Sequence, residues 1–281
     1  MHTRTPAVSG THYPSLPARL RADVRRFLGE DGGGVAHPPP RRALGLVAPH
    51  GTFQFSGLIA GAAFASVEIP GTVIILGPNH GGRATAPEGG SILTSKTYRT
   101  PMGDVPLDAE LAAALVQRAN GLIADDEVAH SEEHAVEAVL PFLQARNEGV
   151  KIVPLLLGWG DWERTRLLAR DIAAVLAETG RTDALVVAST DMNHYEPAEV
   201  SKDKDSLALE HLLALDGEGL LATARQQAIS MCGRVAAACA CEVTALRGGT
   251  GADVVAYAHS GLATGDETSV VGYAAVRLGI G

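Results

Sequence analysis

The sequence predicts an α/β fold, a single domain over residues 1–281 with a central, mostly parallel sheet flanked by helices. Three observations predict it. Runs such as Val73-Ile74-Ile75-Leu76 and Leu185-Val186-Val187-Ala188 are continuously apolar, as strands buried on both faces are. Segments with helical spacing alternate with those runs along the chain. Glycine is abundant, at 32 residues, as many tight strand-to-helix turns require.

The elements follow in order. Leu16, Leu20, Val24, Phe27 and Leu28 form the apolar stripe of a first helix. Gly29 to Arg42 is a connector, because Gly32-Gly33-Gly34 and Pro38-Pro39-Pro40 tolerate no regular element. Residues 1–42 therefore lead into the core. A buried strand from Leu44 to Ala48, a small-residue helix from Ser56 to Ser66 and a strand from Thr72 to Leu76 make a right-handed β-α-β unit. Ser91 to Tyr98 alternates as an edge strand does.

Asp108 to Arg118 reads as a helix capped by Asp108. A second helix covers Glu132 to Ala145, and a strand follows at Lys151 to Leu157. The helix from Asp161 to Glu178 stops at Gly180, a residue suited to the left-handed turn after a helix. After a strand at Ala184 to Ser189 come helices near Lys202 to Ala214, Gly217 to Ile229 and Cys232 to Arg247. Asp253 to Ser260 and Ser269 to Leu278 close the fold as an antiparallel pair, with Ser260-Gly261 and Gly265-Asp266 as turn signals.

Composition narrows the function classes. A formal net charge of −9 argues against non-specific nucleic-acid binding, which needs a basic footprint. No stretch approaches the ~18 apolar residues of a membrane span. Met-His-Thr-Arg-Thr-Pro at the N-terminus lacks the apolar core of a secretory signal. Cys232, Cys239 and Cys241 are odd in number and cluster together, so a disulfide framework is not expected and a reducing cytoplasm is.

Chemistry concentrates where strands end. His50, His80 and His194 each follow an apolar run, and ligands of open α/β sheets bind beyond the carboxyl ends of strands. Pro49 and Pro78 fix the path where the chain leaves the sheet. His50 and His80 end the two strands of one β-α-β unit and point to a metal site. Asp191 and His194 share one face if their segment begins a helix, and the carboxylate would then orient the imidazole. The alternative is a helix-capping Asp191 with an incidental histidine.

His130, Glu133, His134 and Glu137 follow helical spacing and form one stripe. A solvated helix face explains the same pattern. Cys232 opens a helix, where the backbone dipole favours a thiolate, a good ligand for iron, copper or zinc. Cys239 and Cys241 read as packing residues. There is no G-x-G-x-x-G, no Walker loop and no G-x-S-x-G elbow, which removes nucleotide binding and serine hydrolysis as leading readings.

Taken together, the segments resemble successive motifs of the Memo family. They are Ala7 through Pro14, Pro49-His50-Gly51 through Gly57, Gly77-Pro78-Asn79-His80 and Thr100 through Asp104. Glu133 through Glu137 with Leu140-Pro141-Phe142-Leu143, Ser189-Thr190-Asp191 through Tyr195, and Met231-Cys232-Gly233-Arg234 complete the order. Bacterial and archaeal members are named AmmeMemoRadiSam system protein B. The resemblance implies a fold like that of class III extradiol dioxygenases, which open catechol rings with non-haem iron.

It also implies roles. His50, His80 and Cys232 would hold the metal, iron first, with copper or zinc as alternatives. His194 would be the acid–base group or a further ligand with Asp191 beside it, and His134 a group of the substrate pocket. The implied activity is O2-dependent oxidation of a small aromatic molecule. A non-catalytic metal-handling or peptide-binding protein is the alternative. The family name further implies a functional link to a radical SAM protein and an AMMECR-type protein. Two departures stand out: Gly51-Thr52-Phe53 replaces the usual Ala-Gly-Tyr, and Val235-Ala236 replaces a His-Pro pair. Both are expected to make the pocket more apolar.

Overall fold

The computed structural model describes residues 3–31, 37, 39–83 and 89–280. The connector's Gly32-Gly33-Gly34 and Pro38 lie outside the described residues. In chain order the first elements are β1 (Thr3–Arg4), α1 (Pro17–Phe27), β2 (Gly45–Ala48), α2 (Phe53–Ala65) and β3 (Thr72–Pro78). Next come β4 (Gly90–Ile92), β5 (Thr97–Thr100), β6 (Gly103–Val105), α3 (Ala109–Arg118), β7 (Ile123–Asp125), α4 (Glu127–Ser131) and α5 (Leu140–Arg146). β8 (Lys151–Leu157), α6 (Trp162–Glu178), β9 (Leu185–Ser189), β10 (His194–Glu196), α7 (Ala198–Leu213) and α8 (Gly217–Gln226) follow. The chain ends with α9 (Arg234–Leu246), β11 (Ala252–His259), α10 (Gly261–Thr264) and β12 (Val270–Leu278).

Among the described residues, the main sheet runs β10-β12-β2-β9-β3-β8-β4-β7, with β11 on β12. β2, β9, β3 and β8 are mutually parallel, as are β4 and β7. β12 runs antiparallel to β2, β10 and β11, and β4 antiparallel to β8. The sheet is therefore mixed, with a parallel centre, rather than mostly parallel. β1, β5 and β6 form a separate small sheet.

Both faces of the central strands are covered, which explains their unbroken apolar runs. Ile74 and Leu76 of β3 pack with Val186 and Ala188 of β9 against the layer that holds Leu168, Ile172 and Ala237. Val73 and Ile75 face the opposite layer with Leu20, Val24, Phe64 and Phe142. Period-two alternation thus sends neighbouring residues of one strand into two different cores.

Asp108 accepts from Leu111 N, so the predicted cap forms, and Asp161 caps α6 in the same way by accepting from Arg164 N. Three expectations change. The two strands of the predicted β-α-β unit are not neighbours, because β9 lies between β2 and β3. The edge strand expected from Ser91 to Tyr98 splits into β4 and β5, each in a different sheet. The Asp125 carboxylate accepts from Thr94 N at 3.2 Å and Thr94 Oγ1 at 2.5 Å and turns the chain between them.

The helix expected from Glu132 to Ala145 is also broken. α4 ends before it at Ser131, residues 132–136 are non-helical, and only a single 3₁₀ turn at Glu137–Val139 and α5 are helical. The Glu133 side chain folds back to accept from His134 N and Ala135 N at 2.8 and 2.9 Å. A carboxylate in that position competes with carbonyls for the amides a helix needs. The proposed stripe of His130, Glu133, His134 and Glu137 therefore does not exist as a helical face.

Glu137 instead anchors the N-terminal segment. Fully buried, it pairs with Arg4 and accepts from Ala7 N, Val8 N and the Tyr13 hydroxyl. Arg4 also donates to the carbonyls of His130 and Glu133, each at 2.7 Å. Replacing Arg4 by methionine leaves a buried carboxylate without its counter-charge. Urea unfolding is expected to show a loss of about 3–5 kcal/mol for Arg4→Met. The Arg4→Met/Glu137→Leu pair should lose less than the sum of its single substitutions.

Candidate metal centre

β2, β9 and β3 end side by side, and their exits carry His50, Asp191 with His194, and His80. Neighbouring strands lie ~4.8 Å apart, so β2 and β3 are roughly two such spacings apart. Their imidazoles nevertheless meet across the end of β9, with ring centroids 5.2 Å apart and planes at 87°. The structure brings in Cys232 from just ahead of α9, whose N-cap is Gly233. A Cβ on Gly233 would lie 2.6 Å from Ser189 O and 2.5 Å from Thr190 Cβ. Only glycine lets the start of α9 come this close to β9.

The donor atoms of His50, His80 and Cys232 all lie within 4.8 Å of one another. His50 Nε2 is 3.4 Å from Cys232 Sγ. Its Nδ1 is 2.9 Å from Ser189 Oγ, which itself donates to Ala135 O at 2.6 Å. Ser189 has spent its proton, so it accepts from His50 Nδ1–H. His80 Nδ1 is 2.9 Å from Glu133 Oε1, a carboxylate that only accepts. Both rings carry their fixed proton on Nδ1 and turn Nε2 toward the thiol, the arrangement a metal-ligating histidine needs.

Glu133 is not itself free to bind an ion. It accepts from His80 Nδ1, His134 N and Ala135 N through one oxygen and from His80 N, at 2.7 Å, through the other. Although its carboxylate, His80 and His134 also cluster, its bonds make it the support of His80.

Electrostatics follow from that packing. Burial pushes the Cys232 thiol up, but His50, His194 and His80 outweigh it and hold its pKa well below the ordinary value. Asp191 N also donates to Cys232 Sγ, at 3.3 Å. Burial opposes the charged form of His80, yet hydrogen bonds to Cys232 and Glu133 lift its pKa to about 10. His50 and His194 are raised against burial in the same way, chiefly by Cys232.

His134 lies in the same cavity, stacked on His80 at 4.5 Å and edge-on to His50 at 5.2 Å. Burial, followed by repulsion from His50, pushes its pKa down. His12, missed as a site residue by sequence reasoning, stands 4.8 Å from His134 and is lowered by burial and by His50. The Gly10-Thr11-His12-Tyr13-Pro14 turn was its only signal. His130 is placed away from the cavity: it is fully buried against the Tyr98 hydroxyl at 2.8 Å, and burial lowers its pKa to about 3.

Asp191 and His194 occupy a loop and the start of β10, not a helix. The Asp191 carboxylate accepts from His50 N at 3.0 Å and Gly51 N at 3.1 Å, so it holds the His50 turn. A Cβ on Gly51 would sit 3.1 Å from both Asp191 Oδ2 and Tyr273 Cε1, tighter than ordinary packing. His194 is positioned by its amide, which donates to Ser230 Oγ at 2.7 Å.

These residues line a cavity of about 600 Å³ with Thr52, Tyr195, Val271 and Tyr273. A larger groove, about 940 Å³, shares His12 and Thr52 with it. Its charged residues pair among themselves, Arg19 and Arg26 both reaching Asp23. Of the two sequence departures, only the first reaches the histidine cavity, through Gly51 and Thr52. Phe53 packs against Tyr13 and Phe142, and Val235 and Ala236 are core residues of the other layer.

The model of the Memo-like protein family matches residues 4–277. The chain belongs to the Memo family. A MEMO1 family protein of Methanopyrus kandleri is 37% identical over 281 residues, covering 97% of this chain and 98% of the relative. One from Methanothermobacter thermautotrophicus is also 37% identical, over 96% of this chain and 98% of its own length. A third, from Sulfurisphaera tokodaii, is 35% identical over 98% of this chain and 99% of its own. In this Memo-family chain, the seven segments that carried the resemblance span both core layers. Six of them meet at the cavity, through His12, His50, His80, His134, His194 and Cys232.

The thiol environment is directly measurable. In the metal-free Memo-family protein, iodoacetamide is expected to modify Cys232 alone. Its rate should change little between pH 8.5 and pH 6, whereas in urea it should fall about tenfold per unit below the free-thiol pKa of ~8.5. Cys239 and Cys241 should stay inert, because burial pushes both thiols up, Cys241 to about 12. Peptide mapping by mass spectrometry reads the result.

Proposed function

We propose that this chain is a metal-binding protein whose His50–His80–Cys232 face supports O2-dependent oxidation of a small aromatic molecule. The observation that carries the reading is the shared orientation of the two imidazoles, each locked at Nδ1 and presenting Nε2 to a thiolate. The donor set fits a single ion. A thiolate sulfur and an imidazole nitrogen on one tetrahedral ion, at ~2.3 and ~2.0 Å, stand about 3.5 Å apart. His50 Nε2 and Cys232 Sγ are 3.4 Å apart.

A soft thiolate with two imidazoles suits iron, copper or zinc. A redox-active ion would supply electron exchange with O2 and an anchor for a substrate oxygen. The chain's own residues do the rest. Asp191 and Glu133 hold the turns that carry His50 and His80. Tyr195, Val271 and Tyr273 give the cavity wall its apolar surface. His194 Nδ1 is buried with no hydrogen-bond partner among the described residues, which leaves that atom to take or return a substrate proton.

Anaerobic purification and elemental analysis test the centre. One equivalent of metal is expected per chain, most of it lost in His50→Ala and Cys232→Ala; undiminished binding in both variants removes the site. Glu133→Gln should keep the ligands but weaken metal affinity about 10- to 100-fold, through misorientation of His80. Oxygen uptake with a catechol panel then separates an enzyme from a metal-handling protein: bound metal without uptake for any substrate favours the second.

A further inference from the structure

We propose that Tyr195 is the specificity residue at the mouth of the cavity, its ring serving as the surface on which a flat aromatic substrate stacks. This rests on the reading of the cavity as a site for a small aromatic molecule. Three independent features of the backbone and side chain converge on this residue.

Tyr195 has φ +61°, in the left-handed region that side-chain-bearing residues rarely adopt. It is also the extra residue of a β-bulge. His194 pairs with Val271 and Glu196 with Val270, so nothing on β12 opposes Tyr195. Bulges beside functional sites re-aim a side chain. The ring is 77% exposed, among the most exposed large side chains of the protein, and yet it lines the same cavity as His50, His80 and Cys232.

The conformation is imposed by what flanks it. Asn193 N donates to the buried Asp205 carboxylate at 2.8 Å, and His194 N to Ser230 Oγ at 2.7 Å. On the other side, Glu196 accepts from Asn193 Nδ2 at 2.6 Å and from Lys204 Nζ at 2.7 Å. Both neighbours are therefore fixed, and Tyr195 has to take the left-handed turn between them. Glycine would relieve the strain and remove an exposed apolar ring. A tyrosine placed there contributes little to packing, so its use lies in what it meets in the cavity.

Its surroundings suit a ring. The His194 ring lies 5.6 Å away at 62°, and Tyr195 is close enough to Tyr273 to oppose that phenol's ionisation. A planar substrate entering the cavity would meet two phenols and an imidazole before reaching the ligand cluster.

The test compares catechol with its saturated counterpart, cyclohexane-1,2-diol, by NMR titration of the zinc-loaded and the metal-free protein. Wild type should prefer catechol. Tyr195→Phe should keep the preference, and Tyr195→Gly should lose about 2- to 10-fold of it, the range of an aromatic pair. Tyr195→Gly should also melt at or above the wild-type temperature, because glycine accepts a positive φ. Metal content should be the same in all three. Absence of any aromatic preference in wild type, an undiminished preference in Tyr195→Gly, or a lower melting temperature of that variant overturns the proposal. Failure to take up zinc would instead count against the metal reading, and the metal-free titration still decides the role of Tyr195.

Discussion

The cavity depends on one buried carboxylate. Glu133 receives four N–H groups, the ring and amide of His80 and the amides of His134 and Ala135. Those four bonds do three things together. They fix which nitrogen of His80 carries its proton, they join the exit of β3 to the segment bearing His134, and they prevent that segment from becoming helix. A carboxylate so supplied stays ionised, and burial would otherwise push it the other way. Arg4 and Glu137 extend the same logic one layer out. They tie the N-terminal segment, and with it His12, to the back of the Glu133 loop.

The fold was legible where hydrophobic periodicity is the governing signal. The predicted strand Lys151–Leu157 coincides with β8, and the predicted helices other than Glu132–Ala145 lie, with the closing hairpin, within a few positions of the observed ones. The order of strands was not legible. Nothing in a buried run says which neighbour it takes, and β9 enters between β2 and β3 from more than a hundred residues away. The broken helix after Glu132 was missed for a different reason. Its apolar spacing is helical, but a local side chain captured the amides first, a competition that pattern reading does not weigh.

The site was legible in part. Strand-end position marked His50, His80 and His194, because parallel strands deliver their exits to one edge. Asp191 was correctly placed there but expected to serve His194, whereas its carboxylate holds the His50 turn. Cys232 follows no strand, and the residues alone suggested only a thiolate near a helix start; its meeting with the histidines depends on Gly233 at the end of β9. Glu133 and His12 were visible as letters in motifs, without a signal for their tasks.

Five histidines share this cavity, and their coexistence is a question of charge. The environment divides them. His50, His80 and His194, which face Cys232, are raised, while His12 and His134, which do not, are lowered. His134 can stack on His80 at 4.5 Å because it stays neutral beside a cation. The thiolate is thus the counter-charge that lets three imidazoles hold protons in a largely desolvated space. A bound cation would take the place of the ring protons on Nε2, opposite the same thiolate, and leave both Nδ1–H bonds in place. The donor arrangement proposed for a metal is therefore already set by the hydrogen bonds and charges of the folded chain itself.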